Sequence, residues 1–264
     1  PAEAAPDPAS EATLVTRLEV ADFGNAPARP GAAALAPPLP AAAADEPSCP
    51  RDFEATPGPG AMIDLLLVAP CDDGARLVIR HEGLAVTATG APTGLMSARI
   101  SAFADPSIVA LVFPDGEQER FLVEMPDLAR FARFGLQWMA GDAFQIHAYE
   151  SGAAFGMAGH VRAESPRAPS PDGGFLSLLG DGTAMPALLA AVYTFPAGQD
   201  DVAIDIEAVV TPDTCGREML AETLALDGGV LTLRELSLSM PGCEAAGDIV
   251  VLQNLDAAPK LAAN

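Results

Sequence analysis

The stretch ARLVIRHEGLAVTAT, residues 75–89, contains two strand-like runs separated by the pair Glu82-Gly83. A glycine at this place accepts the positive φ that a two-residue hairpin turn requires. Similar short runs occur throughout residues 61–123. They are about ten residues apart and separated by Gly, Pro and Asp, which is typical of the strands of a β-sandwich. This pattern predicts antiparallel β-sheets with one face buried.

The C-terminal part carries the same signal. DVAIDIEAVVT, residues 201–211, places apolar side chains on one face and Asp205 and Glu207 on the other. Two regions of short alternating strands therefore flank a less regular middle. The predicted fold class is all-β, with two antiparallel β-sandwich modules that carry local disulfides and follow a Pro/Ala-rich spacer.

The run GGVLTLRELSLSM, residues 228–240, alternates as well, but its parity changes along the way. Leu233 and Leu236 fall on opposite faces of a regular strand, because side chains repeat every two residues. This slip predicts a bulge or a turn near Arg234-Glu235.

Composition divides the chain into four segments. The first is dominated by Ala and Pro, which break helices and bury little area, so it is expected to be largely irregular. The predicted segments are a spacer over 1–48, a first β-sandwich module with an additional hairpin over 49–163, a linker and bridging segment over 164–200, and a second, smaller β module over 201–264.

Two stretches are ambiguous. ARFARFGLQW, residues 129–138, fits a helix that aligns its aromatic residues, but GLQW-MAGD-AFQIHAYE, residues 135–150, also fits a strand, a turn and a strand. We predict the hairpin. The second stretch, MPALLAAVYTF over residues 185–195, lies in the bridging segment and is compatible with a helix.

The four cysteines form one pair near each end of the folded region. The motif Pro, Cys, acid and Gly occurs at the second cysteine of each pair, before a strand-like run. The chain contains no C-x-x-C, which disfavours redox and structural zinc sites. Four cysteines permit three connectivities, and the simplest is two local disulfides in an oxidising compartment. The predicted disulfide residues are Cys49 with Cys71 and Cys215 with Cys243.

The charge balance limits the classes of partner. Fourteen Lys and Arg face 36 Asp and Glu, and the formal net charge is -22. Such a surface repels phosphate backbones, so nucleic-acid binding is not expected, whereas a protein partner or weak calcium binding is compatible with it. Acidic pairs that could contribute calcium ligands are Asp72-Asp73, Asp200-Asp201 and Asp205 with Glu207.

The sequence offers little for catalysis. Two of the histidines, His147 and His160, could meet across strands near Glu150 or Asp142, as a His/carboxylate metal site or as ordinary strand residues. No nucleophile elbow, P-loop or dinucleotide fingerprint is present. We therefore predict no catalytic residue, no metal and no cofactor, and expect that the protein is not an enzyme.

Aromatic residues are few. Phe131, Phe134, Trp138, Phe144 and Tyr149 form the largest group, and they could belong to the core or form an interface. A carbohydrate- or polymer-binding module would need exposed Trp or Tyr on one face, and the chain has one Trp and two Tyr. This module is the alternative function, and a hydrolase is a weaker one.

The region over residues 61–113, including PCDDGARLVIRHEGLAVTATGAPTGLMSARISAF, resembles carboxypeptidase-regulatory-like and transthyretin-like β-sandwich modules. In those modules a T-D-x-x-G turn recurs. Here PTG, residues 92–94, takes its place without the Asp. The resemblance implies a small β-sandwich.

A more specific resemblance covers residues 49–255, through GLQW, FQIHAYESGA, AVYTFP and VTPDTCGREMLAETL. These motifs are similar to an uncharacterised extracytoplasmic family of photosynthetic and marine alphaproteobacteria, whose members often carry the name "translocase". Its members generally have a membrane-anchoring segment before a Pro/Ala-rich spacer. The resemblance implies a periplasmic protein, anchored to the inner membrane in its full-length form, and brings no catalytic residue with it.

Taken with the absence of catalytic motifs, these observations predict a function. The expected protein is a non-enzymatic periplasmic structural or interaction protein. It would bind a protein or envelope partner through its β modules, by strand-edge pairing or through an apolar sheet face.

Overall fold

The computed structural model describes residues 50–165, 167–170 and 173–253. Among them there is no α-helix, and the sheets are antiparallel, which confirms the all-β prediction. Residues 1–48 and Cys49 lie outside the described residues. The strands are β1 (Asp52–Gly58), β2 (Met62–Val68), β3 (Arg76–His81), β4 (Leu84–Thr89), β5 (Leu95–Ser101), β6 (Ser107–Val112), β7 (Gln118–Val123), β8 (Phe131–Met139), β9 (Phe144–Glu150), β10 (His160–Val161), β11 (Phe175–Leu179), β12 (Leu188–Pro196), β13 (Val202–Val209), β14 (Glu218–Asp227), β15 (Val230–Ser239) and β16 (Ile249–Leu252), with 3-10 turns at Leu128–Arg130 and Cys243–Ala245.

The N-terminal strands form two sheets that enclose a first core. One sheet has the order β1-β2-β5 and the other β4-β3-β6-β7. Every second residue points inward, as Leu65 and Leu67 of β2 and Leu77 and Ile79 of β3 show, each at most 2% exposed. Burying one such side chain contributes roughly 1.5–3 kcal/mol.

The predicted hairpin over residues 75–89 is confirmed. His81 pairs with Leu84, which leaves Glu82 and Gly83 as the two turn residues, with φ of 45° and 85°. Two consecutive positive φ values are the signature of a type I′ turn, whose twist matches that of the strands it joins.

The C-terminal strands form two further sheets around a second core. A five-stranded sheet has the order β11-β12-β8-β14-β15, and a four-stranded sheet has the order β10-β9-β13-β16. Leu136, Ile146 and Ile206 lie between them and are at most 1% exposed.

The five-stranded sheet contributes to both cores. On β12, Val192 packs into the first core and its neighbour Tyr193 into the second. On β14, Leu224 packs into the first core and Met219 into the second. Alternate side chains point to opposite faces of a sheet, so this sheet is the layer that the two cores share.

The shared sheet explains the parity change in β15. Leu231 packs against the first core. Leu236 packs against the second core, and Leu238 is buried within it. The register from Glu218↔Ser239 to Asp227↔Val230 is continuous, so the predicted bulge near Arg234-Glu235 is wrong. The strand is regular, but different faces of it are covered at its two ends.

The predicted boundaries between modules differ from the sheets. Strands β8 and β9 lie in the predicted first module, 49–163, yet they pair with strands of the C-terminal sheets. The predicted linker, 164–200, contains β11 and β12. LLAAVYTFP forms a strand, not a helix, because both faces of β12 are buried and its apolar run is therefore almost continuous. The described residues all fall in one compact unit.

The predicted hairpin between β8 and β9 is also wrong in its pairing. Both segments are strands joined by a short turn, but β8 lies in the five-stranded sheet and β9 in the four-stranded sheet. Leu136 and Ile146 meet in the second core, so the chain crosses from one layer to the other.

The disulfide between Cys215 and Cys243 confirms the second predicted pair. It joins the segment before β14 to the segment after β15, where Gly216 N–H donates to Pro241 O at 2.7 Å. Cys71 is also disulfide-bonded. Its predicted partner, Cys49, lies outside the described residues.

Candidate functional site

Strand β15 leaves one edge of the five-stranded sheet open. It is ten residues long, the longest of the eight strands at sheet edges in the described part of the chain. The turn Gly228-Gly229 makes Asp227↔Val230 the first hydrogen-bonded pair of the β14–β15 hairpin. Along β15, residues alternate between hydrogen-bonding to β14 and pointing their N–H and C=O groups outward. The outward groups belong to residues 231, 233, 235 and 237. These groups are available to an added strand.

A groove of about 520 Å³ lies on the sheet beside this edge. The register brings Gln137 opposite Glu222, Met139 opposite Leu188, and Glu222 opposite Glu235. Their side chains therefore share one face, the face that packs on the first core farther along the sheet. The groove is lined by Ala85, Gln137, Trp138, Met139, Leu188, Leu220, Ala221, Glu222, Glu235, Leu236 and Ser237.

The β3–β4 turn forms one end of the groove. Gln137 binds it on both sides, since its amide nitrogen donates to Gly83 O at 2.8 Å and its Oε1 accepts from Ala85 N at 2.8 Å. A Cβ on Gly83 would lie 2.3 Å from a methyl group of Leu233. Glycine adopts the φ of 85° in this turn without a Cβ penalty, and a larger residue would also require the Leu233 side chain to move.

The groove combines exposed apolar side chains with acids. Met139 is 55% exposed and Leu220 is 59% exposed. Glu222 accepts a 2.6 Å hydrogen bond from Gln137 Nε2 and stands directly opposite Glu235. In the described residues, neither carboxylate forms a salt bridge.

Two histidines meet on the outer face of the four-stranded sheet. His147 Nδ1 and His160 Nε2 are 3.0 Å apart, and Gly156 N–H donates to His160 Nδ1 at 2.8 Å. This pattern assigns the proton of His160 to Nε2, which donates to His147. His147 Nε2–H then faces Gln145 Oε1 at 3.4 Å and Glu207 Oε2 at 3.5 Å. The predicted meeting of the two histidines is thus present, with Glu207 as the neighbouring carboxylate.

The carboxylates that the sequence suggested for this cluster are engaged elsewhere. Glu150 lies at a position of opposite parity to His147 on β9, so it points to the other face and binds Arg167 and Tyr193. Asp142 pairs with Arg217 at 2.5 Å. The described residues contain no group of three His, Cys, Asp or Glu arranged to hold a metal.

Aromatic rings cover the histidine pair. Tyr149 stacks on His160 with 4.5 Å between ring centroids, and Phe155 lies 4.8 Å from the same ring. Arg162 lies over Phe155 at 5.0 Å. Burial lowers the pKa of His160, and the charges of His147 and Arg162 lower it further. The lowered pKa of His160 favours its neutral imidazole, whose Nδ1 accepts from Gly156 N–H and so holds the loop over residues 151–159 to the sheet.

Acidification is expected to release this loop. Because the pKa of His160 in the folded protein lies below its ordinary value of 6.5, the contribution of the neutral imidazole is complete above 6.5 and is lost as pH falls through the folded pKa. A protonated Nδ1 cannot accept from Gly156. We expect the exchange rate of the Gly156 amide, corrected for its intrinsic pH dependence, to rise in NMR measurements below pH 6.5. The Gly90 amide, which donates to the carbonyl of Ala75 in the first sandwich, is the control. Equal behaviour of the two amides would contradict this assignment.

The five aromatic residues proposed for an interface do not share one surface. Phe131 lies in the first core and Phe144 in the second. Phe134 and Trp138 are partly buried against the second core, and Tyr149 lies on the outer face beside His160. The structure therefore distributes them between two cores and one outer face.

The acidic pairs are also dispersed. Asp72 binds Arg51 at 2.8 Å, and Asp205 accepts from Gln253 at 3.1 Å. Arg51 also binds Asp115 at 2.8 Å and Glu117 at 2.6 Å. This cluster fastens the start of the described chain to the first sandwich.

Sequence reasoning missed the groove. Its residues are far apart in the chain, and Glu222 and Glu235 have no distinctive spacing. The parity change in β15 was the available signal, since it marks a strand whose two ends are covered on different faces.

In the parts of the chain that the structure describes, no helix has the length and apolar character of a membrane span.

Comparisons with known proteins add no family. No family model and no curated protein matches the chain. A search of solved structures finds one described as "Complete structure of manganese lipoxygenase of Gaeumannomyces graminis and partial structure of zonadhesin of Komagataella pastoris". It is 9% identical, with 72% of this chain and 93% of that chain covered and a TM-score of 0.16. A TM-score this low carries no argument, and the family resemblance noted in the sequence stays a prediction.

Proposed function

We propose that this protein is a non-enzymatic interaction protein of the periplasm that binds a protein partner by strand addition at β15. The observation that carries the proposal is the open edge of β15 beside an acidic, partly apolar groove. Long exposed edge strands are templates for pairing, and proteins usually protect them with charged side chains, proline, bulges or a short length; β15 carries two charges, Arg234 and Glu235. β15 has ten residues, no proline and a continuous register.

The disulfide supports the proposed location. Disulfides persist in oxidising compartments outside the cytoplasm, and Cys215–Cys243 holds the open end of the hairpin that contains β15. The same bond fixes the register of the proposed binding strand. A rigid strand loses less entropy on binding than a flexible one.

A crosslinking experiment tests strand addition. A photoreactive amino acid at Thr232, an exposed position of β15, is expected to form an adduct with a partner in intact cells of the source organism. Ser237→Pro should abolish the adduct, because it removes an outward amide and leaves the backbone hydrogen bonds to β14 intact, and, like Ser237→Ala, it also removes the hydrogen bond from Ser237 Oγ to Glu218. Ser237→Ala retains that amide and should retain the adduct. An adduct that survives Ser237→Pro, or the absence of any adduct, would count against this function.

A further inference from the structure

We propose that the segment added at β15 is an extended peptide with an arginine on its groove-facing side, between apolar residues. This inference rests on the proposed function and specifies the chemistry of the partner. The proposed occupant is a cationic peptide segment, because the Glu222/Glu235 pair of the groove favours a positive charge.

The Glu222/Glu235 pair carries an unbalanced charge. The two acids stand directly opposite each other on neighbouring strands, an arrangement that destabilises a sheet when both are ionised. Gln137 neutralises neither, since it supplies a single amide hydrogen bond to Glu222. Elsewhere in the described chain, Arg51 brings three carboxylates together around one guanidinium. Among the described residues no cation pairs with Glu222 or Glu235, and a partner can supply one.

The geometry sets the position of that cation. The backbone of Glu235 points to the open edge, so an antiparallel added strand places one residue directly opposite Glu235 on the groove face. Neighbouring strands are about 4.8 Å apart, so that residue lies about 10 Å from β14, where Glu222 stands. Arginine can reach across this distance, place its aliphatic stem on apolar surface and bind carboxylates with its planar head.

A second copy of this chain does not supply the charge. If β15 of another copy is added about a two-fold axis perpendicular to the sheet, its groove-facing residues are again Leu231, Leu233, Glu235 and Ser237. Arg234 of that copy points to the opposite face. The paired strands would therefore bring further acid to the groove.

Two matched peptides test the inference. The probe is acetyl-Thr-Leu-Thr-Arg-Thr-Leu-Thr-amide, and its control has citrulline, a neutral isostere, in place of arginine. Binding is followed by NMR through the amides of Leu233 and Glu235, which point to the open edge of β15. We expect the arginine peptide to bind about fivefold more tightly than the citrulline peptide, the upper range for an exposed ion pair. Glu222→Gln with Glu235→Gln should remove this preference, and 0.5 M salt should weaken it.

The outcomes separate this inference from the proposed function. Equal binding of both peptides at β15 would overturn the arginine assignment and leave strand addition intact. If neither peptide binds but the Thr232 adduct forms and depends on the Ser237 amide, the arginine assignment fails alone. If neither peptide binds and no adduct forms, both fail. Sedimentation that shows a dimer of this chain, abolished by Ser237→Pro, would identify a second copy as the occupant and overturn the inference.

Discussion

Replacing Glu150 by alanine is expected to lower the free energy of unfolding by about 2–5 kcal/mol, because it leaves two buried donors without their acceptor, at roughly 1–3 kcal/mol each. Glu150 Oε1 accepts 2.7 Å hydrogen bonds from the Tyr193 hydroxyl and from Gly174 N–H, and Oε2 binds Arg167 at 2.5 Å. Tyr193 is fully buried, so its hydroxyl would lose its acceptor with no access to water. Urea unfolding at pH 7 measures the loss.

A matched variant and a pH series sharpen this result. Glu150→Gln keeps the shape and one acceptor, so it should cost less than Glu150→Ala. Burial acts to raise the pKa of Glu150, but the hydrogen bonds from Arg167, Tyr193 and Gly174 outweigh it and lower the pKa below its ordinary value of 4.5. The stability that the carboxylate contributes is therefore complete above 4.5 and is lost as pH falls through the folded pKa. A loss below about 1 kcal/mol for Glu150→Ala at pH 7, the value of a single ordinary hydrogen bond, would contradict this account of the network.

Removing the Cys215–Cys243 disulfide is expected to destabilise the protein by roughly 3–4 kcal/mol, the chain-entropy value for a loop of this length. The reason is that the bond restricts the unfolded chain, and the two cysteines close the open end of the β14–β15 hairpin. The double variant Cys215→Ser with Cys243→Ser tests this in chemical unfolding at neutral pH.

Hydrogen exchange distinguishes a general effect from a local one. Amides of β14 and β15 near the disulfide should lose protection first in the double variant, with the β3–β4 hairpin as the internal reference. Unchanged unfolding midpoints, or uniform loss of protection at both hairpins, would show that the bond does not hold the edge strand in particular.

Local patterns were predictable from the sequence. The turn at Glu82-Gly83 depends on the backbone freedom of one glycine, and the Cys215–Cys243 pair depends on proximity along the chain. Both are decided within a few dozen residues, so no knowledge of the packing is needed. The alternation of apolar and acidic residues in β13 likewise predicted a strand with one face buried.

Features that depend on distant packing were not predictable. Strand β12 lacks the apolar–polar alternation that marks a strand, because its two faces are buried in the two cores. The turn between β8 and β9 is short, as in a hairpin, and only the contact of Leu136 with the opposite layer shows that the chain changes sheets. The groove requires Gly83 to meet Leu233, and no local pattern relates two residues so far apart.

The shared five-stranded sheet has a consequence for how the protein can fold and evolve. Its strands come from residues 131–239, and their two faces complete hydrophobic cores built from both ends of the described chain. The layer supplies Val192 and Leu224 to the first core and Tyr193 and Met219 to the second, so a change in it affects both sandwiches. A substitution that repacks one core must therefore preserve the strands that the other core uses.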